Sequence, residues 1–254
     1  MSTEDRLEKE RARSRRERGH FDQVVEADEQ FYWADRTAAG RRRQDLRSQR
    51  LARAAGFMDG WRILDVGCGT GIYTARLAAN EAVHFVGIDV APAALRVAAQ
   101  RTGDNVRVLA ADANDLPFPD GCFDAVVGNA VLHHLSLEPS LKELVRVLKP
   151  GGRLCFAEPN LLNPQVMAER NIPFLRRSLQ NSPDEVAFVR WTLDRILHQH
   201  DLDQISVTPF DFLYPLTPRW LIPAVERLGA ALERAPLLRE IAGSLLVTAR
   251  KQAK

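Results

Sequence analysis

Apolar and polar positions come in blocks through the middle of the chain. Short apolar runs at residues 62–66, 83–89, 106–110, 123–128 and 153–158 have helically spaced stretches between most of them, at 72–79, 92–100 and 137–148. Apolar runs of that length rich in Val and Ile predict buried strands, and the longer periodic stretches predict helices. Pro92 sits where a helix tolerates it, in the first turn. Lys149-Pro150-Gly151-Gly152 stops the third helix. Alternation of this kind predicts an α/β fold: a doubly wound parallel sheet with helices on both faces.

The pattern loosens towards both ends. Residues 160–182 contain Pro164 and Pro173 and are too long for an ordinary connection. A helix is expected at 184–200, with Ser182-Pro183 as cap and first residue, then strands at 205–212 and 244–249. The segment between those strands, 213–243, holds Tyr214, Trp220, Leu221, Ile222 and Leu228, broken by Pro215, Pro218, Pro223 and Pro236. Long inserts at one end of a sheet commonly carry function. At the other terminus, residues 2–18 mix acids and bases and predict a frayed helix or a disordered tail. Aromatic and aliphatic residues return from Phe21 to Leu51, as one or two amphipathic helices leading into the first strand.

Composition narrows the class. Hydrophobic residues make up 45% of the 254 positions, enough for a packed core, and no apolar run approaches the roughly 20 residues of a membrane span. The charged N-terminus lacks the apolar core of a secretion signal. Cys68, Cys122 and Cys155 are far apart, so neither a disulfide framework nor a zinc site is expected, and a reducing cytoplasm fits. The net charge of +2 gives no electrostatic argument for nucleic acid. Arg41-Arg42-Arg43 with Arg47, Arg50 and Arg53 reads either as a solvated helix face or as a clamp for a carboxylate or phosphate on cofactor or substrate.

The richest stretch is Ile63-Leu64-Asp65-Val66-Gly67-Cys68-Gly69-Thr70-Gly71. A strand ends, glycines alternate with small residues, and a helix begins, which brings backbone N–H groups against a cofactor. The spacing G-x-G-x-G differs from the G-x-G-x-x-G of dinucleotide binders, and Asp65 would repel a pyrophosphate. Both point to a cofactor carrying positive charge. Asp89 follows at the end of the second strand, about 20 residues after the glycine turn, where a carboxylate takes both hydroxyls of a ribose. Asp112-Ala113 ends the third strand with an acid for an adenine amino group and a small residue beside the ring.

With these residues in view, the chain resembles the class I S-adenosylmethionine-dependent methyltransferases, particularly the small-molecule group that includes the ubiquinone and menaquinone methyltransferases. The resemblance spans about residues 61–158. It rests on the Asp65–Gly71 run, Asp89, Asp112-Ala113, Leu116-Pro117-Phe118, Phe123-Asp124-Ala125-Val126-Val127, and Arg146 through Gly152. It implies a seven-stranded Rossmann-like sheet whose last strand, 244–249, inserts antiparallel beside strand five. Residues 1–55 then form a tail and helical cap, and 56–254 a methyltransferase domain with cap inserts at about 160–182 and 213–243. The cofactor is S-adenosyl-L-methionine, leaving as S-adenosyl-L-homocysteine, with contacts expected from Asp65, Gly67, Cys68, Gly69, Gly71, Asp89, Val90, Asp112, Ala113 and Asn129.

A sulfonium methyl is already electrophilic, so the protein must align the acceptor, exclude water and, for a nucleophile of high pKa, remove a proton. His133 and His134, at the carboxyl edge of the sheet, are the candidates for that base, although such a pair also serves merely to shape the turn. Tyr32, Trp33, Glu158, Asn160 and Tyr214 are candidate substrate contacts. Ubiquinone O-methyltransferases carry two acids and a histidine at this place, and some bind a metal with them. Here Ala130, His133 and His134 stand there, so no catalytic metal is expected. The acceptor is read as a small or lipid-like molecule in a largely apolar pocket, methylated on oxygen in bacterial specialised metabolism or glycolipid synthesis. Methylation on carbon or nitrogen, a cofactor-binding scaffold without turnover, and a nicotinamide oxidoreductase are the alternatives. Nucleic acid is not expected as a partner, and the protein is expected to be a monomer or homodimer.

Overall fold

In a computed structural model the described residues are 3–27, 36–172, 182, 185 and 187–253. Seven strands form one sheet: β1 (Arg62–Val66), β2 (His84–Asp89), β3 (Val106–Ala110), β4 (Phe123–Asn129), β5 (Leu148–Pro159), β6 (Leu202–Phe210) and β7 (Ser244–Lys251). Their order is β3-β2-β1-β4-β5-β7-β6. The first five are parallel, and β7 runs antiparallel between β5 and β6. The expected fold class and the placing of the last strand are thereby met.

Among the described residues eight helices flank the sheet: α1 (Thr3–Ala27), α2 (Ala38–Ala55), α3 (Ile72–Leu77), α4 (Pro92–Arg101), α5 (Leu137–Val147), α6 (Pro164–Asn171), α7 (Arg190–Leu197) and α8 (Ile222–Leu232). β4 is buried on both faces and therefore apolar almost throughout. One core face packs Leu64, Val126, Phe156 and Val247 under α5 and α7, and the other packs Ile63, Phe85, Ala125 and Phe210 with Leu51 of α2. Gly128 lets Phe156 cross β4 closely, since a Cβ there would lie 2.5 Å from its ring.

Several boundaries differ from expectation. Of the two readings of residues 2–18, a frayed helix or a disordered tail, the structure takes the helical one: residues 3–18 open α1, a helix of 25 residues. Its inward positions Arg13, Glu17, Phe21 and Val25 recur every fourth residue and so share one face. Asp22 then accepts the Ala93 N–H at the start of α4 at 2.9 Å, fastening α1 across the sheet edge. The helix expected at 184–200 begins only at Arg190, with Val189 as its cap. Phe188 instead pairs as a bridge with Asn160. β5 starts directly after α5, earlier than expected, and the Pro-rich 160–182 stretch contains α6, capped by Asn163, which accepts from the Gln165 and Val166 N–H groups.

Candidate active site

A cavity of about 360 Å³ opens at the carboxyl ends of β1, β2 and β4, roofed by α1 and by residues of α2 and α6. Parallel α/β sheets place ligands at this edge. Its floor is the turn after β1. Gly67 has φ +64°, and a Cβ there would lie 2.3 Å from Val131 Cγ2, so only glycine keeps the turn open at this point. Asp89 follows at the tip of β2, where its carboxylate accepts the Gly69 and Ala91 N–H groups at 2.9 Å each. Burial pushes its pKa up against the pull of those donors. Each of its oxygens keeps a lone pair for a further donor.

Farther along, Asp112 Oδ1 takes two bonds from Asn114, at 2.9 and 2.8 Å, and Ala113 is buried beside it. Asn129 Oδ1, at the end of β4, is buried with no hydrogen-bond partner among the described residues. A buried carbonyl in that state costs free energy until a donor reaches it. Ala130 next to it holds a left-handed φ of +54°, which turns the chain sharply into the histidine pair.

His133 lines the cavity, and its Nδ1 lies 2.7 Å from Glu158 Oε2. Glu158 is fully buried at the end of β5, where its other oxygen accepts the Val131 and Leu132 N–H groups at 3.0 and 2.9 Å. Burial pushes Glu158 up to about 7. Burial also lowers His133 to about 3, helped by the nearby Arg170 and Arg13 guanidinium groups. A neutral His133 that donates Nδ1–H to Glu158 keeps its lone pair on Nε2. His134 is lowered to about 4 by burial and by His133. Its Nδ1 meets Glu17 of α1 at 3.1 Å and its Nε2 is 3.6 Å from Glu185, while Phe21 packs edge-on against its ring.

Comparison with known proteins settles the family. The family described as "Methyltransferase domain" matches residues 64–156. The O-methyltransferase rstn1 of Aspergillus nomiae is 31% identical over 176 residues, covering 64% of this chain and 78% of that protein. The chain is a class I S-adenosylmethionine-dependent methyltransferase. A demethylmenaquinone methyltransferase of Clavibacter sepedonicus is 46% identical over 110 residues, 42% of this chain and 44% of that protein, so the match spans less than half of that relative. Among solved structures, a S-adenosylmethionine-dependent methyltransferase of Thermotoga maritima, described as a possible histamine N-methyltransferase, superposes with a TM-score of 0.65 at 18% identity. It covers 92% of this chain and 99% of that one, a likeness of fold.

The cavity of this methyltransferase brings together Gly67, Cys68, Gly69, Asp89, Val90, Asp112, Ala113, Asn129, His133 and His134. Two expected cofactor contacts are placed elsewhere. Asp65 does not line the cavity: its carboxylate is buried and accepts the Thr74 hydroxyl of α3 at 2.6 Å. Gly71 caps α3 at φ +77°, and a Cβ there would crowd Ala98 at 3.0 Å. Both residues shape the turn from behind.

The substrate expectations need more correction. Glu158 stands behind His133, away from the wall. Asn160 is buried and spends its amide on the Glu240 and Ala242 carbonyls, at 2.8 Å each. Tyr214 is exposed and outside the lining. Tyr32 and Trp33 lie outside the described residues. Of insert 213–243 only Pro215 and Gly243 reach the cavity. The cavity wall is mostly apolar, as expected, and Arg13, Glu17, Arg43, Gln44, Arg47, Asn163, Gln165, Glu169, Arg170 and Glu185 set polar and charged groups into it. Within the arginine cluster, Arg43 and Arg47 reach the cavity and share Asp211, at 2.6 and 3.0 Å. Asp211 is held below the usual carboxylate range because those two charges outweigh its burial.

His133, His134 and Glu185 each bring one nitrogen or oxygen within 4.8 Å of the others. Glu185 is ion-paired with Arg170, and the positive charge of Arg170 and Arg13 disfavours a divalent cation at that point.

Proposed function

We propose that this methyltransferase methylates a hydroxyl oxygen of a small or lipid-like molecule, with His133 as general base and Glu158 as the residue that positions it, and without a metal. S-adenosylmethionine, when bound, supplies an electrophilic sulfonium methyl. Gly67, Cys68 and Gly69 would run beside its methionine part, with the orphaned Asn129 Oδ1 accepting from the amino group. Asp89 and Val90 would flank the ribose, and Asp112 with Ala113 the adenine. These donors and acceptors fit a cofactor with a cationic amine, a diol and an aminopurine.

The observation that carries the acceptor reading is the His133–Glu158 contact. Nε2 of a neutral His133 takes the proton from the acceptor hydroxyl as the oxygen–methyl bond forms, and Glu158 stabilises the resulting imidazolium from Nδ1. A histidine held in one tautomer by a buried carboxylate is the arrangement general-base catalysis requires. Oxygen gains more from such a base than carbon activated by its own ring, and the similarity to an O-methyltransferase favours the same reading. The charged and polar groups set into the mostly apolar wall favour a hydroxyl-bearing metabolite or a lipid-linked sugar over a wholly apolar acceptor.

The test is methyl transfer to fractionated small-molecule extracts, read as S-adenosylhomocysteine formation. His133→Ala and Glu158→Gln should each lower kcat by about 10²-fold or more, with calorimetric affinity for S-adenosylhomocysteine unchanged. Wild-type kcat should rise with pH through about 7 as Glu158 ionises, and Glu158→Gln should lose that limb. Survival of His133→Ala within about threefold of wild type, well short of a general base's usual worth, would remove the base from the mechanism.

A further inference from the structure

Insert 213–243 reaches the cavity only at its two ends, so most of it has another task. It carries a 3-10 turn (Arg219–Leu221), then α8, then a second 3-10 turn (Leu238–Ile241). Its charges are sorted by direction. The acids point back to the body: Glu226 pairs with Arg42 of α2 at 2.6 Å, Glu233 with Arg50 at 2.5 Å, and Glu240 with Arg190 of α7 at 2.8 Å. Arg219, Arg227 and Arg234 are exposed and have no ion-pair partner among the described residues.

Apolar side chains follow the cations outward. Leu237, Trp220 and Leu228 are 86%, 78% and 61% exposed. Ala224, Arg227, Leu228 and Ala231 are exposed along one side of α8, with exposed Trp220 in the turn before it and exposed Arg234 just after it, so this outer face mixes large apolar groups with guanidinium groups. A helix serving only to cover its own protein would turn these apolar residues inward.

We propose that this outer face of the insert docks on an anionic lipid bilayer. Tryptophan and leucine suit the boundary between headgroups and acyl chains, and the three arginines suit acidic headgroups. A second copy of the chain fits less well, because a two-fold contact sets the same patch against itself and brings arginine towards arginine. Docking here leaves the sheet and cavity outside the bilayer, with the insert rooted at the cavity rim through Pro215 and Gly243. No helix among the described residues is long and apolar enough to cross a membrane, so the contact is peripheral.

The test uses the full chain with vesicles of phosphatidylcholine alone and of phosphatidylcholine with phosphatidylglycerol. Co-sedimentation should occur with the acidic vesicles and weaken as salt rises. Arg219→Gln, Arg227→Gln and Arg234→Gln together should weaken partitioning about 100-fold, at about 1 kcal/mol per charge. Trp220→Ala should remove a blue shift in tryptophan emission that wild type shows on the same vesicles. None of these four residues lines the cavity, so affinity for S-adenosylhomocysteine should be unchanged, which also reports that each variant folds. Absence of binding to acidic vesicles overturns the proposal. So does a dimer in lipid-free solution that the same substitutions dissolve, because a second copy would then own the face.

Discussion

Replacing Asp65 by Asn tests the reading of the glycine turn without any acceptor in hand. The Asp65 carboxyl is buried behind the turn, with the Thr74 hydroxyl at 2.6 Å, and burial together with the nearby Asp89 carboxylate raises its pKa from 3.8 to about 7 although Thr74 opposes. In the unfolded chain the group releases its proton near pH 4. The folded protein holds that proton until about pH 7. Between those values the folded state binds more protons, so stability falls as pH rises and then levels off. At 1.36 kcal/mol per pKa unit the shift caps the loss at about 4 kcal/mol; allowing for local relaxation, about 2 kcal/mol is the expected loss. Asparagine offers Thr74 the same acceptor but does not titrate. Urea midpoints for wild type and Asp65→Asn should coincide near pH 4.5 and diverge by pH 8, with the variant the more stable. Comparing the two proteins at each pH cancels the opposing contributions of His133 and His134, which both share. Equal stability at every pH would mean that burial does not raise the Asp65 pKa, and a variant that loses ground as pH rises would mean that the ionised carboxylate is favourably held.

Two further outcomes bear on the site. Gly67→Ala should lower affinity for S-adenosylhomocysteine at least about 10-fold, because the new methyl meets Val131 at 2.3 Å and φ +64° strains an L-residue; calorimetry showing wild-type affinity would refute the close approach. Glu17→Ala removes the buried carboxylate that takes His134 Nδ1 and the Ser182 hydroxyl. Hydrogen exchange of α1 amides should then quicken about 10-fold while the β4 and β5 amides stay protected; unchanged α1 exchange would show that Glu17 does not fasten the helix.

The parts of the site legible in the sequence are those that local backbone geometry dictates. A turn that must present N–H groups needs glycine at fixed spacing, and a ribose-binding acid must end the neighbouring strand, so Gly67, Gly69 and Asp89 declare themselves within one β-α-β unit. Asp65 belongs to the same pattern, yet its carboxyl lies behind the turn against Thr74. Spacing places its Cα beside the cofactor turn, while only the packing of Thr74 shows that its side chain points away. Asp65 accordingly repels an anion less than a full charge would, because a carboxyl with pKa about 7 is partly neutral at neutral pH. α1 was hidden for another reason. Its surface is highly charged, so mean composition reads as a tail, yet Arg13, Glu17, Phe21 and Val25 recur every fourth residue. That period was the available signal, obscured because two of the four inward residues are themselves charged and count as solvent-facing in any hydrophobic pattern.

The polar part of the cavity wall was illegible for a reason that no finer pattern would cure. It takes Arg13 from α1, Arg43 and Arg47 from α2, and Asn163 and Arg170 from the start and end of α6. These segments are separated in the chain, and each contributes one or two side chains from an otherwise ordinary helix. Tyr214 and Trp220, two aromatic residues of the insert, are exposed and do not line the cavity. Hydrophobic content in an insert measures what must be covered, by the rest of the protein or by something else, and does not say which. Here the acids of the insert pair inward, so its inner face is held to the body by charge and its apolar groups are free to face outward. That inversion is what the proposed docking face of 213–243 rests on.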